Sequence, residues 1–184
     1  MNNDADKTQA IHMNQQNHSH NCNGDCCSHS HTSNLEGDGV HSLESLIINS
    51  KERAFLMEFV KYNYLPVSRF IMSSSIEEEA RLVSLAPVYI IAIDDSMETV
   101  KEIGSVLSEL EKKGVISLDY DILLHDYDYT QYTNSILFSF FKETVIEGKK
   151  NPGFLFDTAE IELGSIALTE FGERVSENIA SFAD

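Results

Sequence analysis

Between His18 and His31 the chain reads His-Ser-His-Asn-Cys-Asn-Gly-Asp-Cys-Cys-Ser-His-Ser-His. Seven metal-capable side chains fall within these fourteen residues: His18, His20, Cys22, Cys26, Cys27, His29 and His31. They include all three cysteines of the protein and four of its seven histidines. Thiolate and imidazole together form a borderline-soft donor set that suits zinc, copper(I), nickel or cobalt. Asn23 and Gly24 are turn residues, so the chain can double back and bring Cys22 and Cys26 to one ion. The spacing is not that of a zinc finger, because no Cys-x-x-Cys is matched by a distant histidine pair. The tract predicts transition-metal affinity without naming the metal. Two other readings fit the same residues: a low-complexity tail with adventitious affinity, and a redox-sensing vicinal pair, Cys26 and Cys27, in a reducing compartment.

A second group lies in Asp119-Tyr-Asp-Ile-Leu-Leu-His-Asp-Tyr-Asp-Tyr-Thr-Gln-Tyr132, which holds four of the seven tyrosines, four aspartates and His125. His125 beside Asp126 is the sole neighbouring acid–base pair in the body of the chain, and Asp126, Asp128 and His125 together could meet a hard cation. The spacing of a calcium loop is absent. The expected structure is a strand with an acidic outer face followed by a helix start. No Gly-rich phosphate loop follows a strand and no nucleophile elbow is present. No catalytic residue is assigned, and the chain is read as a non-enzyme. The bases placed to touch a phosphate backbone are Lys101, Lys112 and Lys113 on a central helix and Lys149 and Lys150 on a turn.

Charge limits what those lysines can do. The 184 residues carry a formal charge of −17. Residues 1–41 contribute five acids and one base, a net of −4, which leaves −13 on the remainder. Such a body repels DNA at long range, so DNA is a disfavoured partner and a protein partner or homodimer is expected. Hydrophobic residues are 42% of the chain, enough for one core. No run approaches the ~18 apolar residues that span a membrane, and the polar N-terminus lacks an apolar leader segment. The expected location is the cytoplasm.

The elements that must position these groups follow from periodicity. Residues 1–41 are rich in Asn, Gln, Ser, His and Asp and should form a disordered His/Cys-rich tail. Residues 42–184 should form one globular domain. In the stretch from Asp94 to Tyr120, Val100, Ile103, Leu107 and Leu110 recur at helical steps. Asp95 and Glu98 make a capping box, Lys112 and Lys113 suit the last turn, and Gly114 closes the helix. The period then changes to two through Ile116, Leu118, Tyr120 and Ile122, which predicts a strand. Asn49 with Glu52 opens a helix to about Tyr64, stopped by Pro66. Ser75 with Glu78 opens a short helix to about Leu85, ended by Pro87. Val88–Ile93 reads as a buried strand, with a helical turn as the alternative. A helix is expected over 131–147, strands over 154–156 and 160–168 with a bulge at Gly164, and a last helix capped by Thr169.

Two pieces of this pattern carry a family resemblance. Leu110-Glu-Lys-Lys-Gly-Val-Ile116 resembles the end of the recognition helix and the start of the wing in MarR-like winged-helix regulators. Leu168-Thr-Glu-Phe-Gly172 resembles the second wing strand entering the next helix of the same proteins. The resemblance implies an α+β, winged-helix-like domain with an inserted helix in the wing. Residues 97–113 would be the recognition helix, and 115–124 and 160–168 the wing strands. It also implies a regulatory function, here a transition-metal-responsive transcriptional regulator. An acidic protein-interaction module that does not bind DNA is the alternative function, with exposed aromatics near Tyr127, Tyr129 and Phe141 as its contact surface. The rival architecture is an α/β layer with a β-α-β unit over 88–124.

Overall fold

A computed structural model describes residues 46–181. The tail residues His18, His20, Cys22, Cys26, Cys27, His29 and His31 lie outside the described residues. Nine elements follow in order: α1 (Ser50–Phe59), β1 (Tyr64–Ser73), β2 (Arg81–Val88), α2 (Met97–Lys112), β3 (Ile116–Asp119), α3 (Thr130–Thr133), α4 (Ile136–Gly148), β4 (Thr158–Leu168) and α5 (Glu170–Ser181). The class is α+β. The four strands form one sheet in the order β2-β1-β4-β3, and every adjacent pair is antiparallel. That overturns the β-α-β unit: α2 connects β2 and β3, which lie at opposite edges of the sheet and run in opposite directions.

The long β1–β4 pair organises the core. Its register sets Leu65 against Ile166 and Val67 against Gly164 at one end, and Phe70 against Ile161 and Met72 against Ala159 at the other. The two-residue period places Leu65 and Val67 on one side of β1 and Phe70 and Met72 on the other. The first pair packs with Leu56 and Phe59 of α1, Leu107 and Leu110 of α2, and Phe171, Val175 and Ile179 of α5. Phe70 packs with Val100 of α2, Tyr132 of α3, and Leu137, Phe138, Phe141 and Val145 of α4. The ribbon therefore buries opposite faces at its two ends. Each large side chain removed from water contributes roughly 1.5–3 kcal/mol.

Several local expectations give way to tertiary contacts. The helix expected over 75–85 is instead a turn and strand β2. The Ser74 amide donates to the Ala80 carbonyl to close the hairpin, and Ser75 donates its amide and hydroxyl to Asp157 rather than capping a helix. Pairing with β1 outweighs local propensity there. The strand expected over 88–93 ends at Val88. The Asp95 carboxylate accepts from the Ile91 and Ala92 amides and folds that segment into a turn. Asp95 is thereby diverted from capping α2, and Ser96 caps it by accepting from the Thr99 amide. Strand β1, including Pro66, occupies a stretch with no clear alternation. The helix expected over 131–147 is broken at Ser135, whose hydroxyl accepts from the Phe138 amide and starts α4 afresh. Residues 154–156 form no strand. Gly164 sits in regular register with Val67 and is no bulge. A Cβ there would lie 2.1 Å from the Asp119 carbonyl oxygen, so its role is close approach to the chain leaving β3. Other readings hold: the Asn49–Glu52 capping box, the left-handed Gly114 with φ 69° after α2, and the Thr169 cap of α5.

Candidate functional site

The capping box that starts α1 also fixes α1 against α2. Glu52 is 1% exposed, yet charged groups are rarely buried without a partner. Its carboxylate accepts from the Asn49 amide, and the Lys113 ammonium donates to both of its oxygens at 2.7 Å. Lys113 donates a further bond to the Ile47 carbonyl. The start of α1 is thus pinned to the end of α2.

Below this pin the two helices diverge around a cleft of about 940 Å3. Buried Phe59, Leu65 and Pro66 line it from the core side, and Phe55, Tyr89, Ile103 and Val106 form its walls. Tyr127, from the loop after β3, lines it as well. Phe55 meets Tyr89 edge-on at 6.0 Å and Phe59 at 5.9 Å, the arrangement ring quadrupoles favour. Burial pushes the Tyr89 hydroxyl above the usual phenol range, with Tyr127 and Tyr62 adding to it. Burial raises Tyr127 too, against a hydrogen bond from the Gln131 amide. Both are neutral phenols at physiological pH and offer the cleft hydroxyls and ring faces without charge.

The rim is charged but balanced. Lys51 of α1 lies 3.7 Å from Glu102 of α2, and Lys61 lies 2.5 Å from Glu58. These groups are more than half exposed, so each pair holds with ~1 kcal/mol or less.

A second recess of about 530 Å3 adjoins the first, because Tyr62 and Tyr64 line both. Its other wall is one face of α5, carrying Glu173, Ser176, Glu177 and Ala180 at helical spacing. Neither Glu173 nor Glu177 has an ion pair among the described residues, and no base lines this recess.

The residues singled out in the sequence lie elsewhere, with one exception. Lys112 pairs with Glu109 at 2.8 Å, Lys113 with Glu52, Lys149 with Asp157 at 3.9 Å, and Lys150 with Glu147 at 2.5 Å. Lys101 is exposed and has no ion pair among the described residues. His125 and Asp126 are both exposed and share no hydrogen bond. Asp128 accepts from the Thr130 amide and hydroxyl. Those bonds hold its carboxyl below the usual range. It is a local turn residue rather than a ligand aimed at a shared centre. The expected aromatic contact surface is corrected in two members. Phe141 is buried and stacks 5.3 Å from Phe70, while its neighbour Phe140 is the exposed ring. Tyr129 donates its hydroxyl to the Gly164 carbonyl and is half-buried. Tyr127 alone joins the cleft.

Sequence reasoning missed the cleft. The available signal was Tyr62-Asn-Tyr64, an aromatic pair between the α1 stripe and Pro66. Among the described residues no cluster of three or more His, Cys, Asp or Glu side chains could hold a metal ion. No helix among them is long and apolar enough to cross a membrane.

No family model matches the sequence, and no curated protein matches it. Among solved structures, an uncharacterized protein from the hydrocarbon-degrading marine bacterium Alcanivorax borkumensis SK2 is similar at 12% identity and a TM-score of 0.33, over 77% of this chain and 89% of that one. A likeness of that size carries no argument about function.

Proposed function

We propose that this chain is a non-enzymatic regulatory module that recognises a partner through the cleft between α1 and α2. The observation that carries this is the cleft itself: about 940 Å3 of largely apolar, aromatic-lined space on an acidic chain. Concave apolar space with a few convergent hydroxyls is the usual form of a recognition site. Nothing beside the cleft supplies a nucleophile paired with a base, so binding rather than turnover is the chemistry it supports. Titration of the full-length protein with Nile red, a neutral apolar dye, tests it. Saturable fluorescence at one site per chain is expected, and Ala54→Trp, which fills the cleft from an exposed helix position, should abolish it with little change in Tm. Undiminished dye binding by a folded Ala54→Trp protein would overturn the assignment.

The tail is the metal-responsive part of the same proposal. His18, His20, Cys22, Cys26, Cys27, His29 and His31 offer a transition metal more donors than one ion needs. Elemental analysis of the reduced full-length chain against one starting at Leu43 should find about one equivalent in the first and none in the second. Equal content in both would remove the metal from the proposal.

A second reading keeps the MarR-like winged-helix resemblance. It is favoured by the order in which α2 runs through Gly114 into β3, with β3 paired to β4 and α3 and α4 between them. In it α2 would enter a DNA groove, and Lys101, Lys112, Lys113, Lys149 and Lys150 would meet phosphates. Four of those lysines are already paired with carboxylates, which weighs against it. Anisotropy of a labelled duplex tests it: salt-sensitive binding supports the reading, and none at low salt removes it.

A further inference from the structure

We infer that the occupant of the cleft is a basic partner segment: a peptide stretch that places apolar side chains in the first recess and lysine or arginine side chains in the second. This rests on the binding reading above and goes beyond it in naming the chemistry. The two recesses are one trough, since Tyr62 and Tyr64 form the wall between them. They differ in charge. In the first, Glu58 and Glu102 are neutralised by Lys61 and Lys51, so the interior presents apolar walls and neutral phenols. It selects apolar side chains. In the second, Glu173 and Glu177 stand four residues apart on α5 with no cation facing them. Burial of Val175 and Ile179 on the opposite side of α5 holds both carboxylates towards the trough.

A cation entering there meets two fixed acids, and the field of a chain carrying −17 adds to their attraction. An anion meets the same field as repulsion. Tyr62 and Tyr64 are 53% and 58% exposed, which leaves ring faces on which an aliphatic stem or a guanidinium can lie while its head reaches the acids. A second copy of this chain is a poor occupant: it has thirteen lysines and arginines against thirty acids, and most of the described bases already sit in ion pairs. An acyl chain satisfies the first recess but leaves the second unanswered.

The test uses full-length protein, Nile red in the trough, and two unlabelled hexapeptide pools. Both pools carry leucine, phenylalanine or methionine at random in the first three positions. One ends in three lysines, the other in three glutamates. The lysine pool should displace the dye at a concentration about tenfold lower, the worth of two partly exposed ion pairs. Added salt should narrow the gap, and Glu173→Gln with Glu177→Gln should close it while dye affinity stays unchanged. Equal displacement by both pools, displacement by neither, or selectivity that survives the double substitution would overturn the inference and leave the cleft assignment standing. Failure of the wild-type protein to bind the dye is the different result that removes the cleft assignment first.

Discussion

The two ends of the β1–β4 ribbon handle polar groups in opposite ways. On one sheet face, Arg69 donates to Glu162 at 2.5 Å, and Arg81 donates to Glu160 at 2.9 Å and to Glu162 at 2.7 Å. The Ser73 hydroxyl donates to Glu160, and the Arg69 guanidinium lies 4.5 Å above the Tyr120 ring. Every strong donor there has an acceptor within the chain. At the end where β1 begins, Tyr62 and Tyr64 stand exposed between two recesses, and Glu173 and Glu177 have no cation. The charged face resembles the trough in acid content, yet its hydrogen bonding is closed on itself. A surface whose charges are already answered has little left to offer a partner, whereas unanswered carboxylates beside open apolar space do.

That contrast can be broken most severely at Gly172. A Cβ there would lie 1.9 Å from the Val115 carbonyl oxygen. Gly172→Ala should force α5 away from the start of β3, costing about 2–3 kcal/mol in urea unfolding, and should disrupt the second recess more than the charged face. Next is Glu52→Ala, which removes a capping box and leaves the Lys113 ammonium, 25% exposed, without its carboxylate. A loss of about 2 kcal/mol is expected by the same measurement. Because Glu52 pins α1 to α2, Nile red affinity should fall with it, while charged-face contacts should persist.

Acid sharpens the comparison. The Ser73 hydroxyl and then Arg81 hold the Glu160 carboxyl below the usual range. Burial is the largest single influence on Glu162 and raises it, but Arg81 and Arg69 together outweigh burial and hold it low. Acids depressed in the folded state bind protons more readily when unfolded. They add stability above the unfolded value of about 4.3, and that stability is lost as pH falls through the folded values. Stability measured from pH 6 down to 3 should therefore drop more steeply in the wild type than in Arg81→Met. The double substitution of Glu173 and Glu177 by Gln should leave the difference between those two proteins intact. The smallest effect belongs to the rim: Lys51→Ala removes a 3.7 Å exposed pair and should change stability by less than ~0.5 kcal/mol.

What the sequence revealed follows the range of the forces involved. Helix α2 was legible because its apolar stripe, its charged last turn and Gly114 are all local. Strand β4 was legible from the alternation of Glu160 and Glu162 with Ile161 and Leu163, and α1 and α5 from their caps. Strand β1 was not. Leu65, Pro66, Val67 and Ser68 are all buried, so the period of two vanishes. Strand β2 was hidden behind Ser75 and Glu78, whose helical spacing is overridden by Asp157 from far along the chain. In α4 the choice between Phe140 and Phe141 turned on a one-residue phase, reset when Ser135 restarted the helix. The cleft was illegible for a broader reason. Its walls come from α1, the start of β1, the turn after β2, α2 and the loop after β3, and no periodicity links those five segments.

The most direct measurement is amide chemical-shift mapping of the isotope-labelled full-length chain during titration with the lysine-ended hexapeptide pool. The account predicts shifts centred on Phe55, Tyr62, Tyr64, Tyr89 and Ile103 and extending to Glu173 and Glu177, with Arg69, Arg81 and Glu160 unmoved. Shifts confined to the charged face, or to α4 around Ile136 and Phe140, would contradict it.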